Sequence, residues 1–198
     1  MIRLSVTHLD GYRYWRDNED VPLNVLLARL RGDEPPTQAM LAGRAFHSFL
    51  EHATIGDVHV ATVDGFEFDF ALDQEIELPA VRELKAECLM ETPSGPVTLV
   101  GKVDGLHGTT VRDYKLTEQF NAEKYADSYQ WRCYLSMFES QTFVYDVFQA
   151  RYDGPRIVIY DYHRMSFSAY PGMRADVQRE VSALAEIVAT HLPEKVAA

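Results

Sequence analysis

The chain has 198 residues, 46% of them hydrophobic and 25% charged, with a formal net charge of −11. That is enough apolar chain for one buried core, and it excludes a disordered or low-complexity protein. No run of 18 apolar residues and no apolar leader occur, so the expected protein is a soluble, cytoplasmic, single domain over 1–198 with no membrane partner. Cys88 and Cys133 form no CxxC pair and read as small buried apolar residues rather than ligands of a zinc or iron–sulfur cage.

In chain order, Ser5 or Thr7 can cap a first helix carrying Leu9, Tyr12 and Trp15 at helical spacing. A second helix starts at Pro22, is striped by Leu23, Leu26, Leu27 and Leu30, and stops at Gly32, so that residues 1–32 form an N-terminal helical pair. Thr37 caps a third helix through Met40, Leu41, Phe46, Phe49 and Leu50, and His47 and Glu51 share one of its faces.

From Asp57 the apolar period changes to two. Val58, Val60 and Thr62 lead to the hairpin signal Asp64-Gly65, and Phe66, Phe68 and Phe70 return from it. This hairpin continues into Asp73-Gln74-Glu75, and it reads as an acidic insertion over about 57–78 at the edge of a core running from about 37 to 152. Residues 57–92 hold ten acids against two bases, which is −8 of the chain's −11.

Arg82 to Glu91, Val97 to Asp104 and Thr110 to Lys115 read as a three-stranded antiparallel meander. Asn121 caps a long helix to about Phe138. Thr142 to Tyr152 and Ile157 to Arg164 are two more strands, and an amphipathic helix over 170–191 closes the chain. Strands and helices in this order describe an α/β sandwich rather than a bundle.

The second turn of the meander carries the chemistry. If it centres on His107 and Gly108, Val111 opposes Asp104 and Asp113 is the diagonal neighbour on the same face, about 7–8 Å away. Two carboxylates at that gap can reach one hard cation, with ligand distances of about 2.0–2.1 Å for Mg²⁺. Lys115, two residues beyond Asp113, points the same way.

A helical His47, then Gly101-Lys102-Val103-Asp104, Asp113-Tyr114-Lys115 and Gln130-Trp131-Arg132-Cys133-Tyr134, in that order, resembles the PD-(D/E)xK nuclease superfamily and its RecB-like exonuclease branch. Each motif alone is weak, but four in order on fitting elements are not. The resemblance implies a restriction-endonuclease-like α/β core whose mixed sheet holds the meander between helices. It implies Asp104 and Asp113 as carboxylate ligands of Mg²⁺ or Mn²⁺, His47 as a further ligand, and the backbone carbonyl of Tyr114 completing the protein shell.

Lys115 would then position or help deprotonate the attacking water, or stabilise charge on the phosphate, while Gln130 and Tyr134 border the site. An imidazole ligand tilts preference toward Mn²⁺. Glu51 and Glu87 stay open as further acids. The expected activity is DNA hydrolysis, as an exonuclease in recombination, repair or phage replication. A structure-specific endonuclease and a catalytically silent, protein-binding relative stay open, as do a recombination or single-strand-binding partner protein and a homo-oligomer. With two cysteines the chain cannot hold the four-cysteine iron–sulfur cluster of some relatives. The aromatic helix (Tyr125, Tyr129, Trp131, Tyr134) reads as packing or as a base-stacking surface.

Overall fold

The computed structural model describes residues 1–54, 60–72 and 76–196. A mixed sheet of eight strands is covered by helices on both faces. The chain runs β1 (Ile2–Ser5), α1 (Val6–Arg16), α2 (Leu23–Arg31), α3 (Gln38–His52), β2 (Val60–Val63), β3 (Phe66–Phe70), β4 (Val81–Thr92), β5 (Gly95–His107), β6 (Thr110–Thr117), α4 (Ala122–Asp127), α5 (Gln130–Met137), β7 (Thr142–Asp153), β8 (Arg156–Ser168) and α6 (Met173–His191). The strand order is β1-β5-β6-β7-β8-β3-β2, with β4 on the other side of β5. Pairing is parallel for β1–β5, β6–β7 and β3–β8, and antiparallel elsewhere. Among the described residues no helix is long and apolar enough to cross a membrane.

Alternation along the strands sends apolar side chains to two cores, one on each face. Val97, Leu99, Val103, Val111, Phe143, Tyr145 and Val147 pack against α1, α2, α5 and α6. Tyr114, Phe148, Ile157 and Ile159 pack on the other face against Phe46 and Leu50 of α3 and the three phenylalanines of β3. The acidic hairpin thus sits at the sheet's edge but feeds Phe66, Phe68 and Phe70 into the second core. Its Asp64-Gly65 turn has both residues at positive φ, 51° and 83°, as a two-residue hairpin requires. Asp57, Val58, His59, Asp73, Gln74 and Glu75 of that expectation lie outside the described residues.

Several expectations hold at the residue level. Ser5 caps α1, Thr37 caps α3 through the Met40 N–H, and Gly32 ends α2 in the left-handed region at φ 81°. Cys133 is buried, Cys88 half-buried, and both are free. Three expectations need correction. Strand β1 precedes the first helix and was not foreseen, because four residues with two buried positions carry too little pattern.

The long helix from Asn121 to Phe138 is two helices, broken at Ser128, whose ψ of 138° is extended. Asp10 of α1 accounts for the break. It accepts from the Ser128 hydroxyl and from the Tyr129 N–H, both at 2.8 Å, and so caps α5 from a distance in sequence. Arg132 closes the end of α4 by donating to the carbonyls of Ala126 at 3.2 Å and Ser128 at 2.7 Å.

The third correction is the register of the β5–β6 turn. His107 pairs with Thr110, Leu106 with Val111 and Gly105 with Arg112, so the turn is Gly108-Thr109 and Val111 does not face Asp104. Continuing that register sets Asp113 directly across from Asp104 rather than diagonal to it. Gly108, at φ 57°, supplies the left-handed step.

Candidate active site

Beyond the Gly105–Arg112 pair the two strands separate, β5 staying with β4 and β6 with β7. Asp104 fills the opening. Its Oδ2 accepts from the Tyr114 backbone N–H at 2.7 Å, taking the place of a ladder bond, and its Oδ1 meets His47 Nδ1 at 2.9 Å. His47 comes from α3 on one face of the sheet. Gln130 comes from the first turn of α5 on the other, and its Nε2 donates to Asp113 Oδ1 at 2.9 Å.

Asp113 and Lys115 are bound to each other. The ammonium makes an ion contact with Asp113 Oδ2 and lies 5.8 Å from the centre of the Tyr145 ring. That Oδ2 is buried, and the Lys115 ammonium is the contact it has. Burial pushes the Asp113 carboxyl up to about 6, against the pull of Lys115. For Lys115 burial works downward, yet the carboxylates of Asp113 and Asp104 outweigh it and the net shift is upward, so the ammonium stays charged.

A hydrogen-bonded chain fixes Gln130. The Tyr145 hydroxyl shares its one proton between Gln130 Oε1 at 3.3 Å and Ser128 Oγ at 3.2 Å, while Ser128 donates to Asp10 and accepts from the Gln130 backbone N–H at 3.0 Å. An amide whose oxygen is engaged by Tyr145 must present its NH₂ to Asp113. Tyr134, one turn on, donates to the Lys102 carbonyl at 2.7 Å with its ring against Gly101. Tyr125, Trp131 and Tyr134 are buried in the core, so those three members of the aromatic stripe are packing.

Sequence reasoning missed Glu83. Its carboxylate, one nitrogen of His47 and one oxygen of Asp104 all lie within 4.8 Å of one another, the spacing of ligands around one ion. Glu83 sits in β4 with φ at 55°, a left-handed conformation that costs a non-glycine residue about 1–3 kcal/mol. Next to it, Arg82 donates to the carbonyls of Leu50, Glu51 and Ala53 at 2.9, 2.9 and 2.8 Å, locking the end of α3 onto β4. The strand before Gly101-Lys102-Val103-Asp104 holds three acids, Glu83, Glu87 and Glu91, and nothing in their pattern marks Glu83 over Glu87. Glu87 lines the same cleft two strand repeats further along β4, and it is exposed and paired with Arg3 at 2.6 Å. Glu51 also lines it.

These groups border one open cleft of about 800 Å³. Asp113 stands outside the His47–Glu83–Asp104 group, held by Gln130 and Lys115. The donor set of His47, Glu83 and Asp104, carboxylate oxygens with one imidazole, suits a hard divalent cation, and Asp113 Oδ2 could join it only by leaving Lys115. Tyr114 contributes its N–H to Asp104, and its hydroxyl donates to the Glu77 carbonyl at 2.7 Å on the far face.

The fold and cleft define an α/β protein whose site opens where two sheet strands diverge. No family model matches the chain, and no curated protein matches it in sequence. Solved structures do match. The protein SSO0001 aligns over 91% of this chain and 73% of its own, with a TM-score of 0.51 and 13% identity. The exonuclease LHK-Exo, in a complex with dAMP, aligns over 98% of this chain and 93% of its own, with a TM-score of 0.50 and 15% identity. At such identities the likeness establishes a shared fold, that of a mixed sheet flanked by helices.

Proposed function

We propose that this chain is a divalent-metal-dependent DNA nuclease of the PD-(D/E)xK kind, in its RecB-like branch, acting as an exonuclease in recombination, repair or phage replication. The observation that carries the reading is the convergence of His47, Glu83 and Asp104 at ligand spacing beside the bonded trio of Asp113, Lys115 and Gln130. The fold shared with an alkaline exonuclease is consistent with it.

In this reading His47, Glu83, Asp104 and Asp113 hold Mg²⁺ or Mn²⁺, with the Tyr114 carbonyl as a further oxygen. Such an ion supplies an ionised water at neutral pH and charge relief on the phosphate. Gln130 holds Oδ1 of Asp113, and the ion takes Oδ2 over from Lys115. Lys115 places its ammonium at the reacting phosphate or its attacking water, in a buried setting where a fixed charge acts strongly. Tyr134 anchors the Lys102 carbonyl two residues before Asp104 and so fixes the strand that carries that ligand.

The test is incubation with linear DNA in Mg²⁺ or Mn²⁺. Cleavage that stops with chelator and with Asp113→Ala is expected, and cleavage that survives Asp113→Ala sinks the assignment. A closed circular substrate left intact while linear DNA is degraded marks an exonuclease.

A further inference from the structure

Five cations line the cleft, and they divide sharply. Arg3 is paired with Glu87, Lys102 with Glu83 and Lys115 with Asp113. Arg44 and Lys85 line the same cleft, and among the described residues neither has an ion pair or hydrogen bond with any acid. Both are exposed. The three paired cations must each give up a carboxylate before they can take a phosphate, whereas these two give up only solvent.

Their placement follows from their elements. Arg44 precedes His47 by three residues on α3, so the two share a helix face with Cβ atoms about 5–6 Å apart. Lys85 follows Glu83 by two residues on β4, on the same strand face and about 7 Å along it. Each uncommitted cation therefore stands one step from a candidate ligand, and the two stand on different elements that border the opening. The charge of the cleft agrees. Its five cations meet five carboxylates, Glu51, Glu83, Glu87, Asp104 and Asp113, so it is neutral within a chain of −11. A divalent ion would turn it positive, which a polyanion requires.

Resting on the nuclease reading, we infer that Arg44 and Lys85 form a two-sided grip on backbone phosphates of the nucleic acid strand, flanking the phosphate placed at His47, Glu83 and Asp104. These contacts position the strand and carry no base information.

The experiment is fluorescence anisotropy of a short labelled DNA duplex between about 50 and 200 mM salt, with Ca²⁺ present and the DNA checked for integrity. It compares the wild type, Arg44→Ala, Lys85→Ala, the double variant, the charge-keeping pair Arg44→Lys and Lys85→Arg, and Arg174→Ala. Arg174 is an exposed arginine of α6 outside the cleft. Each alanine should make the slope of log affinity against log salt shallower by about one, and the double variant by about two. The charge-keeping variants and Arg174→Ala should leave it unchanged. A double variant with the wild-type slope overturns the grip while leaving the nuclease reading standing. A folded wild type that binds no DNA overturns the reading beneath it, and the grip with it.

Discussion

Tyr134 lies so close to Gly101 that a Cβ on the glycine would sit 2.5 Å from the tyrosine's Cε1 and 3.1 Å from Val6 Cγ2. The glycine that opens Gly101-Lys102-Val103-Asp104 is therefore there for the tyrosine that closes Gln130-Trp131-Arg132-Cys133-Tyr134. Gly101→Ala should displace the buried ring, cost about 1–3 kcal/mol and weaken the hydrogen bond to the Lys102 carbonyl. Urea unfolding checks this. The substitution paired with Tyr134→Ala should cost less than the two separately, because the ring that the methyl strikes is gone.

Asp10, Ser128 and Tyr145 act on Asp113 through Gln130, whose amide bonds to the carboxylate. Tyr145→Phe frees the Gln130 amide to turn and should destabilise the fold by about 1 kcal/mol. On the nuclease reading it should lower kcat by about tenfold at unchanged KM, while Gln130→Glu, which sets a carboxylate against Asp113, should be worse. Asp10→Ala should cost about 0.5–2 kcal/mol, since it removes the cap of α5. Steady-state kinetics beside thermal unfolding separates the two effects.

His8 gives a pH dependence. It completes a capping box with Ser5, whose N–H donates to His8 Nδ1 at 3.2 Å, so the ring must be neutral there. Burial, with Lys195 adding to it, lowers its pKa from 6.5 to about 4. Above pH 6.5 neither the folded nor the unfolded state is protonated, and the full stability is present. Between 6.5 and about 4 the unfolded state takes the proton and the native state does not, so stability falls as pH falls, by at most roughly 3 kcal/mol. His8→Gln should flatten that part of the profile, and urea midpoints at the two ends of the window measure it.

On the far face, Arg112 and Asp146 are both buried and bonded at 2.5 Å, and Arg164 adds a second contact to Asp146 at 3.0 Å. Removing Arg112 leaves the buried Asp146 with only the partly exposed Arg164 and the Tyr162 hydroxyl. Arg112→Ala should cost about 3–5 kcal/mol, and replacing Arg112 and Asp146 together by Met and Leu should cost far less. Chemical denaturation of the wild type and the two variants decides it.

What could be read in advance was what depends on local pattern. Helix caps at Ser5 and Thr37, the Asp64-Gly65 turn and the period-two strands are set by residues within a few positions, and they stand where expected. Glu83 was hidden because its role comes from a positive φ and from facing Asp104 across β4 and β5, and an acid in a strand advertises neither. Asp10 and Tyr145 were hidden because 118 residues separate Asp10 from Ser128, and a lone Asp or Tyr on an amphipathic element looks like any other. The one-step error in the β5–β6 turn moved Asp113 from opposite Asp104 to a diagonal position, which is what a slip in a short Gly-containing turn does.

The central claim is that His47, Glu83, Asp104 and Asp113 make one metal centre. Anomalous diffraction from crystals grown with Mn²⁺ tests it most directly. A single peak bounded by His47, Glu83 and Asp104, with Oδ2 of Asp113 turned toward it and Lys102 released from Glu83, is the predicted result. A folded protein with no peak in that cleft, or with Asp113 still closed on Lys115 while the ion sits elsewhere, would contradict it.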